Sequence, residues 1–206
     1  MKYLFTLIIS LSAVSSLFAQ YQEPERKEKT ETFYPQVAFD SLQAKKMLAK
    51  GTATIKGVAF TKQKNSMGFK PLLGQRIYAN KMKVVLLPVT PYFEEWYKLR
   101  DEKENLRKKR FVYMSDAAYR YRLEAITNSN GEFTFPDMLP GKYFLQGLLD
   151  FTVSGTYNEY TGSGYGSYGG RTDYYQQKHY SVDHQDRIEE FVEVKENGEI
   201  VRVKLH

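Results

Sequence analysis

From residue 52 onward the chain alternates apolar and polar positions in short runs. These are "TATIKGVAF" (52–60), "YRYRLEAIT" (119–127), "EFTF" (132–135) and "KYFLQGLLDFTV" (142–153), with the strongly apolar "KMKVVLLPV" (81–89) among them. Period-two alternation sends successive side chains to opposite faces, so these runs predict strands. A last run, "RIEEFVEVKENGEIVRVKL" (187–205), is broken by Asn197-Gly198 and predicts a β-hairpin. About seven strands separated by turn signals predict a mainly β fold, an antiparallel Greek-key β-sandwich.

Two stretches change period. "FDSLQAKKMLAKG" (39–51) predicts a short helix, with Asp40 or Ser41 as cap, Gly51 as stop and Leu42, Met47 and Leu48 as a partial apolar face. "TPYFEEWYKLRDEKENLRKKR" (90–110) predicts a helix inserted between strands. Thr90 suits the N-cap, Pro91 the first turn, and Tyr92, Trp96 and Leu99 share a face. Its closing Arg107, Lys108, Lys109 and Arg110 suit a helix C-terminus.

The start, "MKYLFTLIISLSAVSSLFAQ", departs from both patterns. One lysine, an apolar run and small residues predict a secretory signal peptide over 1–19, cleaved after Ala19 or after Ser16. The expected destination is outside the cytoplasm: periplasm, outer surface or medium. The polar, proline-bearing 20–38 predicts a disordered tether. Residues 39–206 then form one domain.

Composition narrows the chemistry. The chain of 206 residues has no cysteine, which excludes disulfides and thiol chemistry. Net charge is +6, and 98–110 alone carries seven basic and three acidic residues. A local stripe of this kind is weaker evidence for nucleic-acid binding than a basic domain, and an exported protein rarely meets nucleic acid, so no nucleic-acid partner is expected. The stripe leaves peripheral contact with acidic lipid headgroups through Arg107, Lys108, Lys109 and Arg110 as one expectation.

The stretch "TNSNGEFTFPDMLPGKYFL" (127–145) carries the most fold-specific signal. Asn130-Gly131 makes a turn, Phe133 and Phe135 share one strand face, Pro140-Gly141 makes a corner, and Tyr143 and Leu145 share the next face. This pattern resembles that of carboxypeptidase-regulatory-like, or transthyretin-like, domains, with "ATIKGVAF" and "KVVLLPVT" similar to the first two strands of that family. The resemblance covers about 52–60 and 81–153. It implies a small β-sandwich that binds or supports rather than catalyses, and it gives Gly131, Phe133, Phe135, Pro140, Gly141 and Tyr143 a structural role.

Enzymes near this fold leave signatures that are missing here. Zinc carboxypeptidases use a His-x-x-Glu pair, and the only histidines are His179, His184 and His206. Related hydroxyisourate hydrolases end in Tyr-Arg-Gly-Ser, whereas this chain ends "VRVKLH". Intradiol dioxygenases place His-x-His after the corner, where "LQGLLDF" stands. The expectation is therefore no enzyme and no cofactor. The alternative is an accessory domain or a cryptic metal-dependent enzyme using His179 and His184, within the expected polar loop "HYSVDHQDR" (179–187). The residues most suited to binding lie in "SGTYNEYTGSGYGSYGGRTDYYQ" (154–176), read as a long loop, with a flexible flap or a long hairpin whose tyrosines pack on the sandwich as the other readings. Tyr157, Tyr160, Tyr165, Tyr168, Tyr174 and Tyr175 offer flat apolar faces with a hydroxyl, suited to a glycan or an envelope protein.

Overall fold

The structure is a computed structural model that describes residues 30–63, 69–71 and 73–206. The expected signal peptide and residues 20–29 of the expected tether lie outside the described residues. Ten strands appear among the described residues rather than the seven expected: β1 (Glu31–Phe33), β2 (Ala53–Lys62), β3 (Arg76–Tyr78), β4 (Lys83–Pro88), β5 (Arg110–Val112), β6 (Leu123–Ile126), β7 (Glu132–Met138), β8 (Gly141–Tyr165), β9 (Arg171–Val194) and β10 (Ile200–Leu205). Three helices join them: α1 (Ser41–Met47), α2 (Pro91–Lys103) and α3 (Asp116–Tyr119).

The strands form a β-sandwich. One sheet has β2 at its centre, flanked by β7 and β10, with β3 on the end of β2 at Phe60–Lys62. The other runs β6-β4-β8-β9. Alternation decides what fills the gap. Ile55, Phe133, Phe135 and Leu205 from the first sheet meet Val84, Leu86, Tyr143, Leu145, Ile188, Val192 and Val194 from the second, all buried. The expected faces of Phe133 with Phe135, and of Tyr143 with Leu145, are both the core face.

The 127–145 stretch works as scaffold. Asn128 Oδ1 accepts from the amides of Asn130 and Glu132, both at 2.9 Å, and folds the turn. Gly131 sits at φ +75°, and a Cβ there would lie 2.3 Å from the Ala59 carbonyl oxygen. Only glycine lets the turn dock on β2. Beyond the corner, the buried Tyr143 hydroxyl donates toward the carbonyls of Leu139 (2.8 Å) and Met47 (3.0 Å), tying the corner to α1. Burial pushes the Tyr143 pKa up, so the phenol stays protonated. Its contribution is full below the ordinary tyrosine value of about 10 and is lost as pH rises through the raised folded value. Tyr143→Phe is expected to cost about 1–3 kcal/mol, because two carbonyls lose their donor. Urea unfolding at neutral pH measures it, and an unchanged midpoint would show that the corner holds without the hydroxyl.

Several expectations are corrected. The Asn197-Gly198 turn does not close a hairpin within one sheet. It carries the chain across the sandwich, and β10 pairs parallel with β2 from Ile200↔Thr54 to Leu205↔Ala59. That placement covers an edge of β2 and buries Leu205 completely. The helix expected over 90–110 ends at Lys103. Its buried stripe, Phe93, Trp96 and Arg100, has no apolar continuation, since Leu106 is exposed. Asn105 instead caps a 3-10 turn (Leu106–Lys108), Lys109 turns left-handed at φ +52°, and β5 begins. Within the expected tether, Glu31–Phe33 forms β1, parallel to β5, with backbone bonds from Glu31 to Lys109 and from Tyr113 to Phe33, and Arg110 bonds Glu31 at 2.9 Å beside them. In α1, Ala44 is the buried residue and Leu42 is exposed. Residues 116–119 turn as α3, capped by Ser115, so the strand expected from 119 starts at Leu123.

Candidate functional site

The expected Tyr/Gly loop is not a loop. β8 and β9 pair from Gly141↔Val194 out to Tyr165↔Arg171, and only 166–170 turn. β4 pairs with β8 only as far as Gly147, so beyond it the two strands pair with each other alone. From Leu149 to Tyr165 this ribbon runs roughly 55 Å at the usual rise per residue. The expected polar loop 179–187 is likewise part of β9.

Alternation gives the arm two different faces. One continues the sandwich core: Phe151, Val153 and Tyr157 from β8, with Tyr174, Tyr180, Val182 and His184 from β9. Phe151 stacks on His184 with ring centroids 5.4 Å apart, and Tyr157 lies 6.5 Å from Tyr180. The glycines make room for the rings. A Cβ on Gly155 would meet the Tyr180 hydroxyl at 2.6 Å, and one on Gly164 would meet that of Tyr174 at 2.9 Å. The opposite face is a ladder of short polar groups. Thr152 bonds Asp183 at 2.7 Å, Ser154 meets Ser181 at 3.1 Å, and Gln185 bonds Asp150 at 2.7 Å. Near the tip this face carries Tyr160 packed edge-on against Tyr175, and Tyr165. Tyr168 is fully exposed in the turn.

The six tyrosines expected to bind are therefore divided. Tyr157 and Tyr174 share the aromatic face, Tyr160, Tyr165 and Tyr175 lie on the polar one, and Tyr168 sits at the tip. Tyr180 and Phe151 belong with the first group. The even spacing of Tyr174, Tyr180, Val182 and His184 was the signal for a strand face, and the glycines of 155–170 beside it masked it as loop composition.

The arm is anchored at its root. Arg100 of α2, almost fully buried, forks onto Glu189 of β9 (Nη1–Oε1 2.9 Å, Nη2–Oε2 2.5 Å) and lies over the rings of Trp96 and Tyr97. Arg187 bridges Glu189 and Glu104. On the core side, Asp186 accepts from Thr61 at 2.5 Å and pairs with Lys70 at 3.0 Å. At the tip, Asp173 is held below the usual carboxylate range by the Ser163 hydroxyl and then by Arg171. Residues 149–186 carry five carboxylates and two cations, a net of −3, against +6 for the whole chain.

The remaining candidates sit apart. His179 and His184 lie on opposite faces of β9, opposite Thr156 and Phe151 respectively. Among the described residues no group of three or more metal-ligating side chains converges. Arg107 and Lys108 are exposed on the 3-10 turn, and Arg110 is paired with Glu31. A shallow cleft beside the sandwich has an aromatic floor of Phe93, Tyr97 and Phe191, with Lys142, Glu94 and Glu193 around it.

No family model matches the chain, and no curated protein matches it. Among solved structures, it is similar to the crystal structure of a Pseudomonas aeruginosa protein proposed to bind carbohydrate. The TM-score is 0.51 at 16% identity, over 82% of this chain and 97% of that one. At that identity the likeness shows the fold alone, a mainly β sandwich shared over nearly the whole length of the neighbour.

Proposed function

We propose that the chain is an exported, non-catalytic binding module of the carboxypeptidase-regulatory-like type that holds a glycan at the cell envelope. The observation that carries this reading is the aromatic face of the arm: Tyr157, Tyr174 and Tyr180 are about half exposed, with rings laid against the ribbon. Flat rings with hydroxyls at their margins match the apolar faces and hydroxyl edges of sugars, and they lose little entropy on binding. The structural neighbour, proposed to bind carbohydrate, points to the same ligand class. The net negative charge of the arm favours a neutral glycan over an anionic one. Export rests on the signal peptide expected over 1–19.

Isothermal titration or a glycan array tests the reading. Tyr157→Ser/Tyr174→Ser/Tyr180→Ser is expected to weaken binding of a neutral polysaccharide at least about tenfold, since stripped aromatic anchors usually cost more than 1 kcal/mol each. Tyr160→Ser/Tyr175→Ser on the polar face is expected to change it little. Circular dichroism checks that the arm still forms. Unaltered binding by the folded triple variant would remove the aromatic face from the function.

A further inference from the structure

The outer edge of β9 is long and regular. From Arg171 to Val194 it contains neither glycine nor proline, and β9 pairs only with β8 among the described strands. Its neighbour is blunted: β8 has a register break between Tyr160 and Gly162 and carries Gly155, Gly162 and Gly164. Proteins usually protect such edges, and a two-stranded ribbon is marginally stable in water without a third strand or a covered face. Here a ribbon of roughly 55 Å exposes both an edge unpaired among the described strands and an aromatic face.

We propose that a second copy of this chain pairs with that edge, β9 against β9, antiparallel about a two-fold axis at Gln177. Residues directly opposite then share a face, and the charges fit. Arg171 meets the partner's Asp183, Tyr174 meets the partner's Tyr180, and Tyr175 meets the partner's His179. The two-fold repeats each contact. Moving the axis by one residue, to Lys178, sets Lys178 against its own copy and Asp173 against the partner's Asp183. An axis at His179 sets Arg171 against the partner's Arg187. Like charges directly opposite destabilise a sheet, so the sequence selects the Gln177 axis over those two. The product is a four-stranded ribbon with one continuous aromatic face, Tyr157, Tyr174 and Tyr180 contributed by each copy. The pairing does not depend on what that face binds.

The absence of cysteine makes a clean test. Gln177→Cys is expected to form a disulfide-linked dimer under mild oxidation, or to be captured by a short bis-maleimide. Asn158→Cys, its cross-strand neighbour on β8, lies at the same height on the arm and is expected to cross-link far more slowly. Sedimentation of the wild type across micromolar concentrations is expected to show a reversible dimer. Arg171→Asp is expected to weaken that dimer about tenfold, since it sets like charges opposite each other twice. Arg171→Asp/Asp183→Arg is expected to restore it, which an effect confined to the bond between Arg171 and Asp173 in one copy would not do. A wild type that stays monomeric at every concentration, or equal cross-linking at 158 and 177, overturns the proposal. A monomer that still binds glycan would overturn this pairing and leave the function standing. A dimer that binds none would do the reverse.

Discussion

Glu189→Ala is expected to lower stability by about 3–5 kcal/mol, the usual consequence of removing one partner from a buried ion pair. Arg100 carries the cost. It is 7% exposed, under α2, and both arms of its guanidinium fork donate to Glu189. Removing the carboxylate leaves a charge that water barely reaches, against the rings of Trp96, Tyr97 and Phe144. Arg187 loses the same partner and keeps Glu104. The control is Arg100→Met/Glu189→Leu, which removes both charges and fills their volume. Buried pairs replaced in this way are often neutral or stabilising, so the double variant is expected to retain most of the lost stability. Guanidinium unfolding of both variants reads the difference. Equal losses would mean that the packing of α2, not the charge pair, holds the helix to β9.

Much of the sandwich could be read in the chain, for a physical reason. Period-two alternation survives wherever one face is buried, so the strands around 53–62, 83–88 and 132–138 were visible, and so was the corner at Pro140-Gly141. The Tyr143 hydroxyl explains why an aromatic with a polar tip stands there: an apolar ring enters the core and the oxygen reaches backbone 96 residues away in sequence at Met47. What could not be read was pairing. β10 reads equally well as the second half of a hairpin or as the partner of β2, because its local pattern is the same in both. Only the open edge of β2, far away in sequence, decides between them. The arm was legible only as an alternative to a loop, by a related mechanism. Glycine at 155 and 164 signals a loop from local propensity, but here it makes room for tyrosines two strands wide. A half-exposed strand with aromatics on both faces gives no clean alternation to detect.

The same logic made the His179 and His184 pairing legible only as proximity in sequence. Five residues apart on a strand is an odd spacing, and odd spacings point to opposite faces. Once 171–194 is a strand, the two rings are separated by the thickness of the ribbon, and each takes a different neighbour. The basic cluster keeps its exposure but not its helix. Arg110 pairs with Glu31 as β1 docks, and Arg107, Lys108 and Lys109 lie exposed on a 3-10 turn and its left-handed exit rather than at a helix terminus.

Phe144→Ala is expected to cost about 3–5 kcal/mol and to loosen α2 before the sandwich. Phe144 faces away from the main core, on the helix side of β8, with no exposed surface. Its ring centroid lies 5.1 Å from Phe93, 5.5 Å from Tyr97 and 4.9 Å from Phe191, and the Arg100 guanidinium carbon is 5.8 Å away. One side chain thus touches both the helix and the strand that runs out into the arm. Its removal leaves a cavity between α2 and β9, and neither a strand nor a capped helix collapses easily to fill it. Leu145→Ala is the comparison. It is equally buried, points into the main core, and is expected to cost about 2–5 kcal/mol. Hydrogen exchange separates the two. In Phe144→Ala the amides of α2 and of β9 near Phe191 are expected to exchange through a local opening, faster than those of β2 and β7. In Leu145→Ala all of these are expected to accelerate together, because the common core is lost. If α2 in Phe144→Ala exchanges no faster than β2, the helix and sandwich unfold as one unit. The arm would then be anchored by the whole domain rather than by the helix that grips its root.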